Sequence, residues 1–266
     1  MRKRISGVKR ADRVQELVKH LSIYGSSTIS ELADQFDVST MTVRRDLGVL
    51  EDKGIVRIFH GGVLFNGTSS DSKAANDMDY SLLSAESQHT DEKNRIGKRA
   101  AALISSDDTI IIDTGSTTEC LARSIPSTLP ITVMCYNLNI LMHVSKLKNA
   151  DIVFAGGYYH PETMLFESAE GIELIKRNRA NKAFVAAAGI HPQLGVTSLT
   201  HEGRTKRAIM NTAEKRILIA DSSKFGRVFQ AFFAELSDFE VIVTDQGIPQ
   251  QYVQEIERLG IELVIA

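Results

Sequence analysis

The chain has 266 residues, 43% of them hydrophobic, and a formal net charge of −2. This length suits two domains better than one and is enough to bury a sizeable core. The two cysteines, Cys120 and Cys135, lie far apart without metal-ligand spacing, which argues against a disulfide framework or a zinc site. No apolar run reaches the length of a membrane span, and no apolar region follows the basic N-terminus. We therefore expect a cytoplasmic protein with no membrane partner.

The weak net charge hides a difference between the two parts of the chain. Residues 1–65 contain 11 Lys and Arg against 8 Asp and Glu, whereas the remainder contains 20 against 25. The basic residues of the first part cluster at 2–4, 9–10 and 44–45. The N-terminal part is therefore the one suited to nucleic-acid phosphates.

Three helices are predicted in the first fifty residues. The first runs from about Lys9 to Tyr24 and has apolar residues at helical spacing. In residues 27–51 the same spacing predicts two shorter helices, separated by Asp37-Val38-Ser39. The Ser39 hydroxyl can accept a hydrogen bond from the next helix and so cap its N-terminus. A short helix, a tight turn and a second helix are typical of a helix-turn-helix.

The second helix of this motif is predicted to meet DNA. Its apolar stripe of Val43, Leu47 and Leu50 faces inward, which leaves an arginine-bearing N-terminal half for the major groove. The predicted DNA contacts of this helix and its preceding turn are Ser39, Thr40, Thr42, Arg44 and Arg45. The alternative is a small helical subdomain whose arginines are only solvated.

A β-hairpin is predicted to follow the helices. Residues 55–59 favour a strand, and His60-Gly61-Gly62 favour a turn back into residues 63–65. This hairpin would be a wing that carries Arg57 and His60 towards the DNA backbone. Residues 1–65 are therefore predicted to form a winged helix-turn-helix domain.

Residues 66–90 are polar and small, with no sustained apolar period, and predict a linker. Tyr80, Leu82 and Leu83 are apolar within it, so part of this linker can pack.

From Asp91 onward, short apolar strands alternate with helices. The predicted strands are 109–113, 131–135, 151–155, 183–187, 217–220, 241–244 and 261–265. Strands that are apolar throughout and separated by helices indicate a parallel sheet covered on both faces. Residues 91–266 are therefore predicted to form a doubly wound α/β domain.

Ligands bind such sheets at the carboxyl ends of strands, near helix N-termini. The clearest candidate is the loop from Asp113 to Thr118. Gly115 permits close backbone approach, Ser116 and Thr117 offer hydroxyls, and the following helix offers free amides and a partial positive charge. The loop is neither a Walker loop nor a dinucleotide fingerprint. It favours a phosphate, and a plain turn with Ser/Thr capping is the alternative.

Other strand ends carry compatible residues. Gly156-Gly157 follow the third strand, where paired glycines can also serve only a tight turn. Glu202 and Lys206, one helical turn apart, could bind a sugar hydroxyl and an anion, or form an ordinary surface ion pair. The run Asp221-Ser222-Ser223-Lys224 suits a polyol that bears a phosphate, and Thr244-Asp245 ends a further strand similarly. Together these strand ends predict a site for a small anionic polyol.

These motifs resemble those of the DeoR family of bacterial sugar-metabolism repressors, over nearly the whole chain. The most specific part is VSTMTVRRDLGVLEDKGIVRIFHGG at residues 38–62. The DTGSTT loop, the Gly156-Gly157 pair, Glu202 with Lys206, the DSSKF run and Thr244-Asp245 follow in the family's order. The resemblance implies a second domain similar to ribose-5-phosphate isomerases and glucosamine-6-phosphate deaminases, adapted as a sensor.

The resemblance also implies a sugar-phosphate effector, usually an inducer. Its phosphate would lie on the residues Gly115, Ser116, Thr117 and Thr118. Its charge partners would be Lys206 and Lys224. Many members carry Thr-Asn after the second strand of this domain, where this chain has Cys135-Tyr136, while Asn139 is kept. The stretches CYNLN and AAAGIH resemble one branch of the family, which makes deoxyribose 5-phosphate a candidate effector.

The sequence therefore predicts a regulator that binds double-stranded operator DNA as a homo-oligomer and is released by a phosphorylated sugar, without a cofactor or metal. A repressor is expected. An activator is the alternative, because the sign of regulation depends on where the operator lies. A sugar-phosphate isomerase or deaminase is less favoured, because Glu202 and Asp113 form no convincing acid–base pair.

Overall fold

A computed structural model of the protein describes residues 10–24, 26–51, 55–59, 62–65, 82 and 87–266. The chain divides into two compact units, Met1–Asn76 with Gly226–Val228, and Asp77–Phe225 with Phe229–Ala266. Within the described ranges, no helix combines the length and the apolar character that a membrane crossing requires.

The described part of the chain contains helices and strands in both units. The helices are α1 Arg10–Tyr24, α2 Ile29–Phe36, α3 Thr40–Glu51, α4 Thr90–Ala101, α5 Ser116–Ser124, α6 Leu138–Val144, α7 Ala169–Arg177, α8 Gly203–Met210 and α9 Gln250–Arg258. The strands are β1 Ser26–Thr28, β2 Val56–Phe59, β3 Gly62–Phe65, β4 Thr109–Ile112, β5 Ile131–Cys135, β6 Ala150–Phe154, β7 Tyr158–His160, β8 Leu165–Glu167, β9 Ala180–Val185, β10 Gly189–His191, β11 Gly195–Ser198, β12 Ala213–Ile219, β13 Ala231–Ala234, β14 Val241–Thr244 and β15 Glu262–Ile265.

The N-terminal unit packs α1, α2 and α3 with an antiparallel sheet of order β1-β3-β2. A capping box begins α2, because the Glu31 amide donates to Thr28 Oγ1 (3.0 Å) and the Thr28 amide donates to Glu31 Oε2 (2.9 Å). Asp37, in the left-handed conformation, ends that helix. The predicted winged helix-turn-helix is confirmed, with β2 and β3 as its wing hairpin.

The C-terminal unit contains a seven-stranded sheet of order β15-β14-β12-β9-β4-β5-β6, in which every pair is parallel. Successive residues of β4 point to opposite faces: Ile110 and Ile112 pack with α4, α5 and α6, whereas Ile111 packs with α7, α8 and α9. The predicted doubly wound fold is confirmed.

Smaller elements of this unit have no counterpart in the sequence prediction. The hairpin of β7 and β8, the helix α7 and the antiparallel sheet β10-β11-β13 insert among the parallel strands. Each of these strands has only three or four residues, which is too short for a periodic signal. Leu82, from the predicted linker, is buried and donates its amide to the Glu162 carbonyl at 2.8 Å. Residues 66–81 and 83–86 of that linker lie outside the described residues.

Candidate DNA-binding and effector-binding sites

The predicted DNA-binding residues divide into a cap and an exposed face. Ser39 Oγ accepts from the Thr42 amide (3.2 Å) and so caps α3, and the Thr42 hydroxyl lies 2.9 Å from the Ser39 hydroxyl. Thr40, Arg44 and Arg45 are exposed. Of the two contacts predicted for the wing, Arg57 lies in β2 opposite Leu64, and His60 is outside the described residues.

The orientation of α3 is fixed by a buried carboxylate. Asp46 is 1% exposed and accepts from Arg10 Nε at 3.1 Å and Arg13 Nε at 2.6 Å, both on α1. Val43 and Leu47 bury the same face of α3. A buried charged residue needs such partners. The two ion pairs hold α3 against α1 and so fix the direction in which its exposed, arginine-bearing face points.

Polar side chains follow the parallel strands of the C-terminal unit, at the carboxyl edge of the sheet. They are Asp113 after β4, Asn137 after β5, Asp221 after β12 and Asp245 after β14, while Gly156 follows β6 and Ala186 follows β9. Parallel strands place these ends at one edge, which is where ligands bind in such sheets. The predicted convergence of the strand ends therefore matches the observed topology.

A buried ion pair lies at the centre of this edge. Lys206 and Asp113 are 1% and 0% exposed, and the Lys206 ammonium donates to Asp113 Oδ2 and to the Ala186 carbonyl (3.0 Å). Asp113 also accepts from the Ala186 amide (2.9 Å) and from the Tyr136 hydroxyl. Glu202 Oε2 lies 3.6 Å from Lys206 Nζ. Lys206 is thus largely neutralised inside the protein, and its direct contact with an effector phosphate stays a prediction.

Burial sets the protonation of this cluster. It raises the pKa of Glu202 to about 7, against the opposing charge of Lys206. Burial lowers the pKa of Lys206, but the carboxylates of Asp113 and Glu202 outweigh it and raise the pKa overall. Burial and the neighbouring Asp113 charge raise the pKa of Tyr136 well above its ordinary value, so Tyr136 is a hydrogen-bond donor.

The raised pKa of Glu202 predicts a pH-dependent stability. Its folded pKa of about 7 exceeds the ordinary value of 4.5, so the folded chain holds the proton more tightly. The contribution of Glu202 to the free energy of unfolding should therefore be about 3 kcal/mol smaller at pH 7 than at pH 4.5. Urea unfolding of wild type and Glu202→Gln, followed by circular dichroism across this range, measures the difference. A wild type that tracks the variant at every pH would contradict this assignment.

The N-terminus of α5 is the predicted phosphate site. Gly115, with φ of 149°, precedes it without a side-chain cap, and a Cβ there would lie 2.9 Å from Ala186 Cβ. Thr118 Oγ1 donates back to the Gly115 carbonyl (2.8 Å). Within the described part of the chain, the Ser116 and Thr117 hydroxyls have no hydrogen-bond partner, although both residues are buried. Free amides and hydroxyls at a helix N-terminus favour an anion.

A network of hydrogen-bonded polar side chains lies beside this N-terminus. Asn137 Nδ2 donates to Asn139 Oδ1 (2.9 Å), Asn139 Nδ2 donates to Glu119 Oε2 (2.8 Å), and His143 Nε2 lies 3.1 Å from Glu119 Oε1. Asn139, a predicted effector-binding residue, thus lies within a buried hydrogen-bond network. Asn137 and Tyr136 were not among the predicted site residues; Asn137 precedes α6, but its side chain makes no cap hydrogen bond there.

Gly157 has a packing reason for being glycine, whereas a Cβ at Gly156 would make only an ordinary contact with Phe154 at 3.9 Å. A Cβ at Gly157, which has φ of 152°, would lie 2.4 Å from the Glu167 carbonyl oxygen of β8. The Gly156 carbonyl accepts from Ser168 Oγ at 2.9 Å, and Ser168 caps α7. Gly157 therefore lets β8 pack closely, and a role of the two glycines in effector binding stays a prediction.

The remaining predicted residues lie at the ends of β12 and β14. Asp221 Oδ1 accepts from the Ser223 amide (3.1 Å), and Asp245 accepts from the amides of Ser222 (2.6 Å) and Gly247 (2.9 Å). Burial opposes ionisation of Asp221, but the charge of Lys224 and the Ser223 hydrogen bond lower its pKa overall.

Three buried side-chain atoms at this edge lack a hydrogen-bond partner among the described residues. They are Asn137 Oδ1, Asp221 Oδ2 and Thr244 Oγ1. Leaving a buried polar atom unpaired costs about 1–3 kcal/mol, so such atoms call for water or a polar ligand.

Comparison with known proteins gives a family for both units. A model described as the DeoR C terminal sensor domain matches residues 88–246, and one described as a DeoR-like helix-turn-helix domain matches residues 13–69. The chain belongs to the DeoR family of transcriptional regulators. The predicted family is thereby confirmed, and the members of this family are regulators and not enzymes.

Individual relatives extend over nearly the full length of this DeoR-family chain. The HTH-type transcriptional regulator IolR of Bacillus subtilis is 30% identical over 91% of this chain and 94% of its own. The deoxyribose operon repressor of Escherichia coli K12 is 28% identical over 96% of this chain and 98% of its own. The chain is accordingly a DeoR-type transcriptional repressor of sugar metabolism that binds DNA through its helix-turn-helix and an effector through its sensor domain.

Solved structures resemble the sensor domain only distantly. Ribose 5-phosphate isomerase A of Methanocaldococcus jannaschii matches with a TM-score of 0.39 and 14% identity, covering 51% of this chain and 54% of that one. A likeness of this size carries no argument about function.

Proposed function

We propose that this DeoR-family protein represses its target genes by placing α3 in the major groove of operator DNA, and that a phosphorylated sugar in the sensor domain releases it. The exposed Thr40, Arg44 and Arg45 would meet the DNA, and the wing residues Arg57 and His60 its backbone. A homo-oligomer would bind repeated half-sites, because one small module offers limited specificity.

The observation that supports the effector proposal is the N-terminus of α5, which has no side-chain cap. Its amides and the unpartnered hydroxyls of Ser116 and Thr117 suit a phosphate, whereas Lys206 is committed to Asp113. The unpartnered acceptors of Asn137, Asp221 and Thr244 suit the hydroxyls of a polyol. A small sugar phosphate combines both groups.

Operator release tests this proposal. Fluorescence anisotropy follows binding to the DNA upstream of the protein's own gene at fixed salt, because phosphate contacts make the affinity salt-dependent. We expect one sugar phosphate to release the DNA and its dephosphorylated form to have no effect. Deoxyribose 5-phosphate is the first compound to test, given the deoxyribose operon repressor among the relatives. Release by the free sugar alone would contradict a phosphate site.

Ser116→Ala tests the phosphate contact itself. Losing one hydrogen bond to a charged group costs about 1.5 kcal/mol or more, so the effector concentration for half-release should rise about tenfold. Ser124→Ala is the matched control, because Ser124 lies at the other end of α5 and donates to the Cys120 carbonyl. Equal effects of the two substitutions would argue against phosphate binding at Ser116.

A further inference from the structure

Met41 lies at the centre of the exposed face of α3. The buried residues of this helix, Val43, Asp46, Leu47 and Leu50, form one stripe. At 100° per residue, Met41 projects from the side opposite that stripe, and its residue is 65% exposed. Thr42, by contrast, is half-buried, and its hydroxyl lies 2.9 Å from the capping Ser39 hydroxyl.

No packing role among the residues that the structure describes accounts for this side chain. Among the side chains described for residues 10–65, Met41 is the one large hydrophobic that is exposed, and the other exposed large hydrophobics all belong to the C-terminal unit. Gly48 lies on the same face of α3, and a Cβ placed there would meet nothing within 4 Å. This face of α3 is therefore accessible to a binding partner.

The neighbours of Met41 identify that surface. Thr40, Arg44 and Arg45 are exposed around it, and positive charge at this place suits phosphates. In a helix-turn-helix, the N-terminal part of the second helix contacts base edges. The C5 methyl group of thymine is the apolar feature that the major groove offers, and a flexible, unbranched methionine can adapt to it.

We propose that Met41 is a base-reading residue that recognises thymine through its methyl group. The proposal rests on the proposed function, in which α3 enters the major groove. It assigns sequence preference to an apolar contact in addition to the arginines.

Enrichment of a random duplex library on the full-length protein identifies the operator, and the same enrichment with Met41→Ala shows which thymine loses its selection. Replacing that thymine by deoxyuridine removes the methyl group alone. We expect deoxyuridine at this position to weaken DNA binding by the wild-type protein about fourfold, because that factor corresponds to the free energy of burying one methyl group. The same base change should leave DNA binding by Met41→Ala unchanged. Met142→Ala, which removes an exposed methionine from the sensor domain, should keep the wild-type ratio.

Two failures are distinguishable. If an operator is enriched but deoxyuridine affects wild type and Met41→Ala equally, the methyl contact is wrong while DNA binding stands. If no sequence is enriched by the wild type, operator recognition by α3 fails, and the role of Met41 fails with it.

Discussion

Lys206→Met is expected to destabilise the sensor domain by about 3–5 kcal/mol, the usual cost of removing one partner of a buried ion pair. The substitution keeps the volume of the aliphatic stem but leaves the Asp113 carboxylate without its cation. The Tyr136 hydroxyl and the Ala186 amide still donate to Asp113, yet neither carries a compensating charge. For a domain of this size the melting temperature should fall by about 10 °C.

The controls separate charge from packing. Asp113→Asn combined with Lys206→Met removes both charges and should recover a large part of the lost stability. Lys176→Met breaks the exposed pair with Glu173, whose side chains are 52% and 54% exposed, and should leave the melting temperature nearly unchanged. Calorimetry of the full-length chain measures all three variants. A loss in Lys206→Met no greater than in Lys176→Met would show that Asp113 does not depend on this lysine.

Arg45→Ala is expected to weaken operator binding about 10- to 100-fold, because a bidentate arginine–guanine contact is worth about 1–3 kcal/mol. Arg45 is exposed on α3, whereas Asp46 beside it anchors the helix to α1 through Arg10 and Arg13. The substitution therefore removes a DNA contact without loosening the helix. Anisotropy on the operator at two salt concentrations measures the loss and tells a base contact from a phosphate contact.

Arg99→Ala is the matched control for Arg45→Ala, because Arg99 is exposed on α4 of the sensor domain. It should leave operator affinity unchanged. Effector binding, followed as the shift in the melting temperature of the sensor domain, should be the same in Arg45→Ala and wild type. Equal loss of operator and effector binding in Arg45→Ala would overturn the division of labour between the two units.

The local pattern of the sequence determined the architecture of both units. Helical spacing of Ile29, Leu32 and Phe36, then of Val43, Leu47 and Leu50, fixes the helix-turn-helix, because an amphipathic helix has one face to bury. Continuous apolar runs such as Thr109–Ile112, separated by helices, fix a parallel sheet, because both faces of such a strand are covered.

Helix geometry, rather than residue type, decided which side chains α3 presents. The polar character of Thr42 suggests a DNA contact, yet its hydroxyl lies beside Ser39 at the cap. In the sequence, Met41 is indistinguishable from an apolar core residue. The structure shows that the buried stripe of α3 lies on the opposite side of the helix. Local sequence predicted the helix, but the packing of the unit determined its exposed face.

Only the tertiary structure decided the state of the candidate effector site. Asp113 and Lys206 are 93 residues apart, and the order of the parallel strands brings them into contact. The sequence left Lys206 as either an anion ligand or a surface partner of Glu202, and the structure shows a buried cation paired with Asp113 and near Glu202. Which polar groups remain unsatisfied depends on such long-range pairing, because a side chain's partners at a sheet edge come from neighbouring strands that its local sequence does not specify.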